Sequence, residues 1–208
     1  MEPKKSTRGA SERDEWLRAA WRVLVAYALD ARRLVFVDEM GSNIALATLY
    51  GYAPKGERAY CEVPRNRGKN TTLIASMTYE GGMGTSMVIE GSTTAEVFES
   101  YVETFLAPTL KAGRIVMMDN LKAHKTQRVR EMIEAKGCEV MFLPTYSPDL
   151  NPIEEAFSKI KSILRAVGAR TREALLDAIS EAISKVTAQD AKGFFGDCGY
   201  HLLVDQCL

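Results

Sequence analysis

The sequence predicts an α/β fold in which helices cover a mixed β-sheet. Short apolar segments separated by turn residues occur between residues 34 and 91, a pattern typical of antiparallel strands. Beyond residue 93, helical and strand patterns alternate, which is typical of parallel βαβ units. A chain of 208 residues is long enough to bury the core of one such domain.

The first elements are a polar segment, a helix and a group of strands. Residues 1–10 are small, basic and polar, and we expect them to be disordered. Residues 12–29 have apolar side chains at helical spacing, which predicts a single apolar face. That face comprises Leu17, Ala20, Trp21, Leu24 and Ala28. Strands are predicted at 34–37, 44–49, 71–79 and 85–91, and glycines mark the turn between the last two.

The later elements alternate between helix and strand. Helices are predicted at 94–106, 123–136 and 153–166, and strands at 114–118 and 139–143. Gly137 suits the left-handed residue that commonly follows a helix. Thr171 suits the N-cap of a last helix that continues to about Val186. The residues from Phe194 onward give no firm prediction.

The composition is that of an ordinary globular protein. Hydrophobic residues make up 46% of the chain and charged residues 26%, so a packed core is expected. No apolar run approaches the ~20 residues that a membrane helix needs. The N-terminus is polar and has no apolar core of a secretory signal. We therefore expect a cytoplasmic protein without a membrane partner.

Overall charge and ligand spacing restrict the class of function only weakly. The 27 basic and 27 acidic residues cancel, whereas most nucleic-acid-binding proteins have a basic excess. The segment 55–69 is nevertheless basic, with five Lys or Arg residues against two Glu residues. The four cysteines and two histidines lack the spacing of a zinc site, so none is predicted.

Two predicted buried strands end in aspartate. Asp38 and Asp119 each follow four consecutive apolar residues. A carboxylate in such a place is costly unless it is paired, hydrated or bound to a metal. If the two strands are parallel neighbours, their carboxyl ends meet at one edge of the sheet. Simpler interpretations are an ion pair between Asp38 and Arg33, and a turn formed by Asp119 and Asn120.

A third acid, Glu154, opens a predicted helix, with 34 residues between it and Asp119. Asn151 suits the N-cap of that helix and Pro152 its first position, so Glu154 also suits a capping box. Two other acids are set aside. Glu39 follows Asp38 and points to the opposite face by strand alternation, and Glu155 lies nearer the opposite flank of the helix from Glu154.

Three segments resemble the DDE transposases of the Tc/mariner superfamily, in the branch of bacterial insertion sequences. They are VDE at 37–39, MDNLKAH at 118–124 and FLPTYSPDLNPIEEAFSKIK at 142–161. Their order and the 34-residue spacing also match, and the resemblance covers about residues 34–165. One departure is Thr145, which stands where a proline is common.

The resemblance implies a ribonuclease-H-like fold and a metal-dependent enzyme that cleaves and joins DNA. It implies that Asp38, Asp119 and Glu154 are catalytic residues that hold two Mg²⁺ or Mn²⁺ ions, the cations that prefer oxygen ligands. Asn120 and His124 are expected to be auxiliary residues of the active site, with His124 not a metal ligand because these cations prefer oxygen.

Five basic residues are candidates for contacts with DNA phosphates. Arg65, Arg67 and Lys69 lie in the basic segment described above. Lys161 and Arg165 lie on the same flank of the predicted helix as Glu154. They would form a basic stripe that begins beside this carboxylate and suits a DNA backbone. Solvated surface is the simpler interpretation for the three residues of the basic segment.

The resemblance divides the chain into three parts. Residues 1–32 would be a polar tail and a linker-like helix, residues 33–168 the ribonuclease-H-like DDE catalytic domain, and residues 169–208 a C-terminal helical extension. Transposases of this kind also carry N-terminal helix-turn-helix modules, for which there is no room before Asp38. We therefore expect those modules to be encoded separately, as in a split or frameshifted reading frame.

The predicted function is that of a cut-and-paste transposase catalytic domain, acting as a homodimer on element ends and target DNA. The resemblance implies a bacterial cytoplasmic protein that lies at the nucleoid when it is bound to DNA. One alternative is another ribonuclease-H-like nuclease or resolvase, against which the SPDLNPIE motif counts. The other is a truncated or repurposed transposase fragment that binds DNA or a partner without recombining.

Overall fold

The computed structural model describes residues 13–48, 50–60 and 62–203, so the predicted disorder of residues 1–10 lies outside the described residues. The strands are β1 (Leu34–Ser42), β2 (Thr71–Thr78), β3 (Gly82–Glu90), β4 (Ile115–Met118) and β5 (Glu139–Phe142). The helices are α1 (Glu15–Ala28), α2 (Ala95–Tyr101), α3 (Gln127–Glu134), α4 (Pro152–Val167), α5 (Arg172–Ser184) and α6 (Ala188–Asp197). In this part of the chain, no helix is long and apolar enough to cross a membrane.

The five strands form one mixed sheet in the order β3-β2-β1-β4-β5. β1 is antiparallel to β2 and β2 to β3, whereas β1, β4 and β5 are parallel. The predicted α/β fold of antiparallel strands followed by βαβ units is confirmed. β1 continues to Ser42, so the predicted end of this strand at Val37 is wrong and Asp38 lies in its middle. Because β1 and β4 are parallel neighbours, the residue after the end of β4, Asp119, still lies beside Asp38.

Helices cover both faces of the sheet. Along β1, Phe36 and Met40 belong to the core that also contains residues of α1, α4, α5 and α6. Val35 and Val37 point the other way, into a core shared with α2 and α3. Apolar side chains on both faces explain why the first half of β1 and the whole of β4 are continuous apolar runs.

The strand predicted at 44–49 is wrong, since residues 44–48 form a turn and extended chain, and Leu49 lies outside the described residues. Asn43 ends β1 because its side chain accepts a hydrogen bond from the backbone of Ala45. The carbonyl groups of Ile44 and Leu46 then accept hydrogen bonds from the guanidinium of Arg170, at 3.1 and 2.9 Å. The Arg170 side chain therefore binds backbone carbonyl groups that a neighbouring strand would bind in a sheet.

The helix predicted at 123–136 is divided. Residues Lys122–Lys125 form a 3-10 turn, and α3 begins only at Gln127. Thr126 separates the two because its hydroxyl caps α3 by accepting from the backbone of Val129. The short turn brings His124 into the interior, where only 1% of its surface is exposed.

The buried face of α1 differs from the predicted one. Trp21 is buried as predicted, but Leu17 and Leu24 are exposed, and Arg18 and Val25 are buried instead. The helix is rotated because Arg18 forms two hydrogen bonds with Asp149, at 3.0 and 2.6 Å. The helix α6 was not predicted; it begins with a capping box between Thr187 and Asp190 and extends into the segment from Phe194 onward that gave no prediction.

Candidate active site

Asp38 lies within β1 and is almost fully buried, with 6% of its surface exposed. It shares the α4 side of the sheet with Phe36 and Met40. One carboxylate oxygen, Oδ1, accepts from the backbone N–H of Glu39 at 2.7 Å. The other, Oδ2, accepts from the side-chain amide of Asn151 at 2.7 Å. Both oxygens are therefore held by donors from the protein.

Asp119 directly follows β4, the parallel neighbour of β1. Its Oδ1 accepts from the backbone N–H of Leu121 at 2.9 Å, which forms the turn that the Asp-Asn pair suggests. His124 Nδ1 also lies 2.7 Å from Oδ1, but outside the geometry of a regular hydrogen bond. That contact is an ion pair when the imidazole is protonated.

Glu154 lies in the first turn of α4. Asn151 precedes the helix as predicted, but its side chain makes no capping hydrogen bond, so the predicted capping role of Asn151 is wrong. Its amide instead donates to Asp38, 113 positions earlier in the chain. The Asn-Pro pair predicts a helix start and contains no signal for such a distant partner.

The three acids line one cleft of about 300 Å³, together with Asn120, Asn151 and the loop at 143–148. They also line an adjoining cleft of about 420 Å³, to which Glu39, Thr72, Ser92 and Thr93 contribute. The acids therefore stand between two clefts. Tyr146, on the loop beside the first cleft, has a backbone φ of 53°, a left-handed conformation that is uncommon outside glycine.

Burial dominates the electrostatics of this site. It raises the pKa of Asp38 to about 8, even though the hydrogen bond from Glu39 lowers it, and the negative charges of Asp119 and Glu154 add to the rise. Burial also raises the pKa of Glu154, while the positive charge of Lys161 opposes the shift. Burial thus opposes ionisation of both Asp38 and Glu154.

His124 joins two acids. Its Nε2 lies 3.0 and 3.1 Å from the two carboxylate oxygens of Glu39, and its Nδ1 contacts Asp119. Burial of the ring lowers the pKa of His124, but the carboxylates of Asp119 and Glu39 outweigh burial and raise it to about 10. Glu39 does lie on the opposite face, as the alternation predicts, yet it is connected to the site through this histidine.

The other candidates surround the acids in different ways. Asn120 lines the first cleft and donates from its side chain to the carbonyl of Leu143, which ties the ends of β4 and β5 together. Arg65 and Arg67 are exposed, and Lys69 pairs with Glu90 at 2.6 Å. On α4, Lys161 and Arg165 are half-buried, and the positive charge of Lys161 acts on Glu154.

The chemistry of the acids suits a hard divalent cation. The part of the chain that the structure describes contains no ready-made group of three or more His, Cys, Asp or Glu side chains around one point. The cleft does contain three carboxylates, the ligand type that Mg²⁺ and Mn²⁺ prefer. Burial is the main cause of the raised pKa of Asp38, and the nearby carboxylates add to it, so a cation bound here would favour the ionised form.

Two comparisons concern sequence. The family model described as "DDE superfamily endonuclease" matches residues 33–176. The Tc1 transposase of Caenorhabditis elegans is 22% identical over 174 residues, which are 82% of this chain and 60% of that protein. The Tcb1 transposase of Caenorhabditis briggsae is 26% identical over 145 residues, 66% of this chain and 52% of that protein. The chain thus spans only half to three fifths of these relatives.

Solved structures show the same fold. The Mos1 transposase in a paired-end complex with the left transposon end has a TM-score of 0.73 at 18% identity, covering 95% of this chain and 64% of that one. The isolated catalytic domain of Mos1 has a TM-score of 0.65 at 16% identity, covering 96% and 93%. The expected ribonuclease-H-like architecture and the resemblance to Tc/mariner transposases are confirmed, and the chain belongs to the family of DDE superfamily endonucleases.

Proposed function

We propose that this chain is the catalytic domain of a cut-and-paste DNA transposase, with Asp38, Asp119 and Glu154 as its catalytic acids. The observation that carries the proposal is the meeting of three acids from separate elements in one cleft. Burial, together with the negative charges of Asp119, Glu154 and Glu39, raises the pKa of Asp38 to about 8, and strongly shifted pKa values are typical of functional sites.

Two Mg²⁺ or Mn²⁺ ions would be held by these three carboxylates. The fit is supported by the all-oxygen ligand set, and Mos1 paired-end complexes have been solved with Mn and with Mg. When bound, such cations activate the attacking oxygen and stabilise the leaving oxygen of an in-line phosphoryl displacement.

The residues around the acids prepare them for this role. Asn151 and the backbone of Glu39 fix both oxygens of Asp38. The positive charge of Lys161, close enough to influence Glu154, suits a contact with a DNA phosphate. Asn120 holds the loop that forms one wall of the cleft.

The proposed chemistry exchanges one phosphorus–oxygen bond for another. In the first step, water attacks the phosphorus at an element end and the P–O3′ bond breaks, leaving a free 3′-hydroxyl group. In the second step, that hydroxyl group attacks a phosphorus of the target strand, and the target's own 3′-oxygen leaves with a proton. The attacking groups are water and DNA, so no Ser or Tyr nucleophile is needed.

The proposal extends to the organisation of the protein. Residues 33–168 would be the catalytic domain, preceded by a tail and linker-like helix at 1–32 and followed by a helical extension at 169–208. Element ends and target DNA would be its substrates, and a second copy would be its partner. We place its action in the bacterial cytoplasm, at the nucleoid.

Two adjacent glutamates provide a matched test. Glu154 lines the cleft, whereas Glu155 lies near Cys198, with Sγ 3.9 Å from Oε1. Glu154→Gln, Asp38→Asn and Asp119→Asn should each abolish Mn²⁺-dependent nicking of plasmid DNA, because each removes a ligand charge. Glu155→Gln, which makes the same chemical change one residue away, should nick at a rate close to that of the unaltered chain. An equal loss from Glu155→Gln would contradict the assignment.

A further inference from the structure

Glu39 contacts both aspartates of the site, one directly and one through a histidine. Its backbone N–H donates to Asp38 Oδ1 at 2.7 Å. Its carboxylate holds Nε2 of His124, whose Nδ1 lies 2.7 Å from Asp119 Oδ1. The Glu39 side chain is itself only 10% exposed. A single residue therefore connects the middle of β1 with the end of the neighbouring strand β4.

The histidine in this connection has little freedom to move. His124 is buried, and its ring packs on the ring of Phe98 with the centroids 4.2 Å apart. Glu39 approaches from β1 and Asp119 from the end of β4, so the imidazole lies between acids of adjacent parallel strands. Because the ring is fixed, the position of the Glu39 carboxylate restricts the orientation of the Asp119 carboxylate on the other side of the ring.

We propose that Glu39 is a positioning residue of the acidic site: by holding the His124 ring, it fixes the orientation of the Asp119 carboxylate relative to Asp38. The inference rests on the proposed function, because orientation of Asp119 matters only if that residue is a ligand. Partners that orient ligands are a general feature of metal sites, and their removal typically weakens metal binding.

A purely structural role makes a different prediction. If the Glu39–His124 pair only stabilised the fold, Glu39→Gln would change the unfolding temperature and leave metal affinity unchanged. A positioning role requires that affinity falls in a variant that still folds. Glu39→Gln keeps the shape of the side chain but removes its charge and replaces one of the two oxygens that face His124 Nε2 with an amide NH2 group, so it disturbs the hold on the ring with little change in packing.

The test measures Mn²⁺ binding to the chain itself by the electron paramagnetic resonance signal of free Mn²⁺, with thermal unfolding recorded on the same samples. Glu39→Gln should weaken binding by roughly 10- to 100-fold. The matched control is Glu99→Gln, a partly buried glutamate on α2 that pairs with Arg128 away from the acids. It should bind Mn²⁺ like the unaltered chain.

Asp119→Asn in the same assay separates the inference from the proposed function. If Asp119→Asn binds weakly and Glu39→Gln binds normally, the positioning role is wrong and the metal site stands. If Asp119→Asn also binds Mn²⁺ normally, the proposed metal site is wrong, and the inference about Glu39 is then wrong as well. Weak binding by both variants, with Glu39→Gln still folded, supports the inference.

A second measurement needs no variant, so it tests the link between His124 and Asp119, on which the inference depends, even if Glu39→Gln fails to fold. The chain contains only two histidines, His124 and His201. In protein labelled with ¹⁵N-histidine, addition of Mg²⁺ should shift the imidazole signals of His124, because its ring contacts Asp119, and leave those of the exposed His201 unchanged. Signals of His124 that do not respond to saturating Mg²⁺ would overturn the inference.

Discussion

At the scale of single residues, Asp38 makes stability depend on pH in an unusual direction. Its pKa is raised from 3.8 to about 8, mainly by burial, so the folded state holds a proton that the unfolded state releases. Stability therefore falls as the pH rises from about 4 to about 8, by at most about 1.4 kcal/mol per pH unit. Asp38→Asn removes this dependence, and Asn151 can rotate its amide to meet the new side chain because its own Oδ1 has no partner.

We expect Asp38→Asn to unfold several degrees above the unaltered chain at pH 8, and the two to unfold at similar temperatures at pH 4. Calorimetry across this range in a metal-free buffer gives the comparison. Mg²⁺ should reduce the difference between the two unfolding temperatures at pH 8, since a bound cation would stabilise the chain with Asp38 and not the variant with asparagine. The control is Asp177→Asn, an exposed residue of α5. Parallel pH curves for Asp38→Asn and the unaltered chain would refute the prediction.

At the scale of elements, α1 and the C-terminal segment both hold the short turn that leads into α4. Arg18 of α1 binds Asp149 in that turn. Trp21 of α1 donates to the hydroxyl of Tyr200, which in turn donates to the carbonyl of Leu150, at 3.1 and 2.8 Å. Asn151 and Glu154 come directly after this turn in the sequence. The helix α1 and the C-terminal segment, which lie outside the family match of residues 33–176, therefore stabilise the acidic site.

The contact between Arg18 and Asp149 predicts that removing either partner lowers the free energy of unfolding by a different amount. The Arg18 side chain is completely covered, whereas that of Asp149 is 47% exposed. Asp149→Ala leaves a covered guanidinium without its main partner and should lower the free energy of unfolding by roughly 2 kcal/mol. Arg18→Met keeps the packing of the stem and leaves a carboxylate that water can solvate, so it should cost less. Urea titrations measure both, and a larger loss for Arg18→Met would be incompatible with this account.

At the scale of the whole molecule, the sequence predicts what is local and misses what joins distant residues. The order of the sheet strands, the positions of Asp38 and Asp119 after apolar runs and that of Glu154 at a helix start all leave a pattern within a few residues. The bond between Asn151 and Asp38 joins residues 113 positions apart, and that between His124 and Glu39 spans 85, so neither has a periodic signal. The helix α6 was missed because its two glycines weaken the helical pattern.

The positive charges of the molecule also form an arrangement that appears only in the fold. Along α4, Lys161 and Arg165 follow Glu154 on the same flank. At the usual helical rise, Arg165 lies about 16 Å from Glu154 along the helix axis. Beyond the end of α4, Arg172 and Lys69 both pair with Glu90, at 2.8 and 2.6 Å. The basic residues therefore follow a track from the acidic cleft, although the net charge of the chain is zero.

This track predicts how the chain binds DNA. Affinity should be weak, nearly independent of sequence and steeply dependent on salt, because phosphate contacts position a protein without specifying a site. Replacing both Lys161 and Arg165 with Gln should reduce the slope of log K against log [salt] by about 2. Lys185→Gln with Lys192→Gln removes the same charge near the β2–β3 turn, at the end of the sheet remote from the acids, and should leave the slope unchanged. Gel-shift titrations with terminal-repeat and random duplexes provide both measurements, and a strong preference for one repeat at physiological salt would mean that specificity resides in this domain.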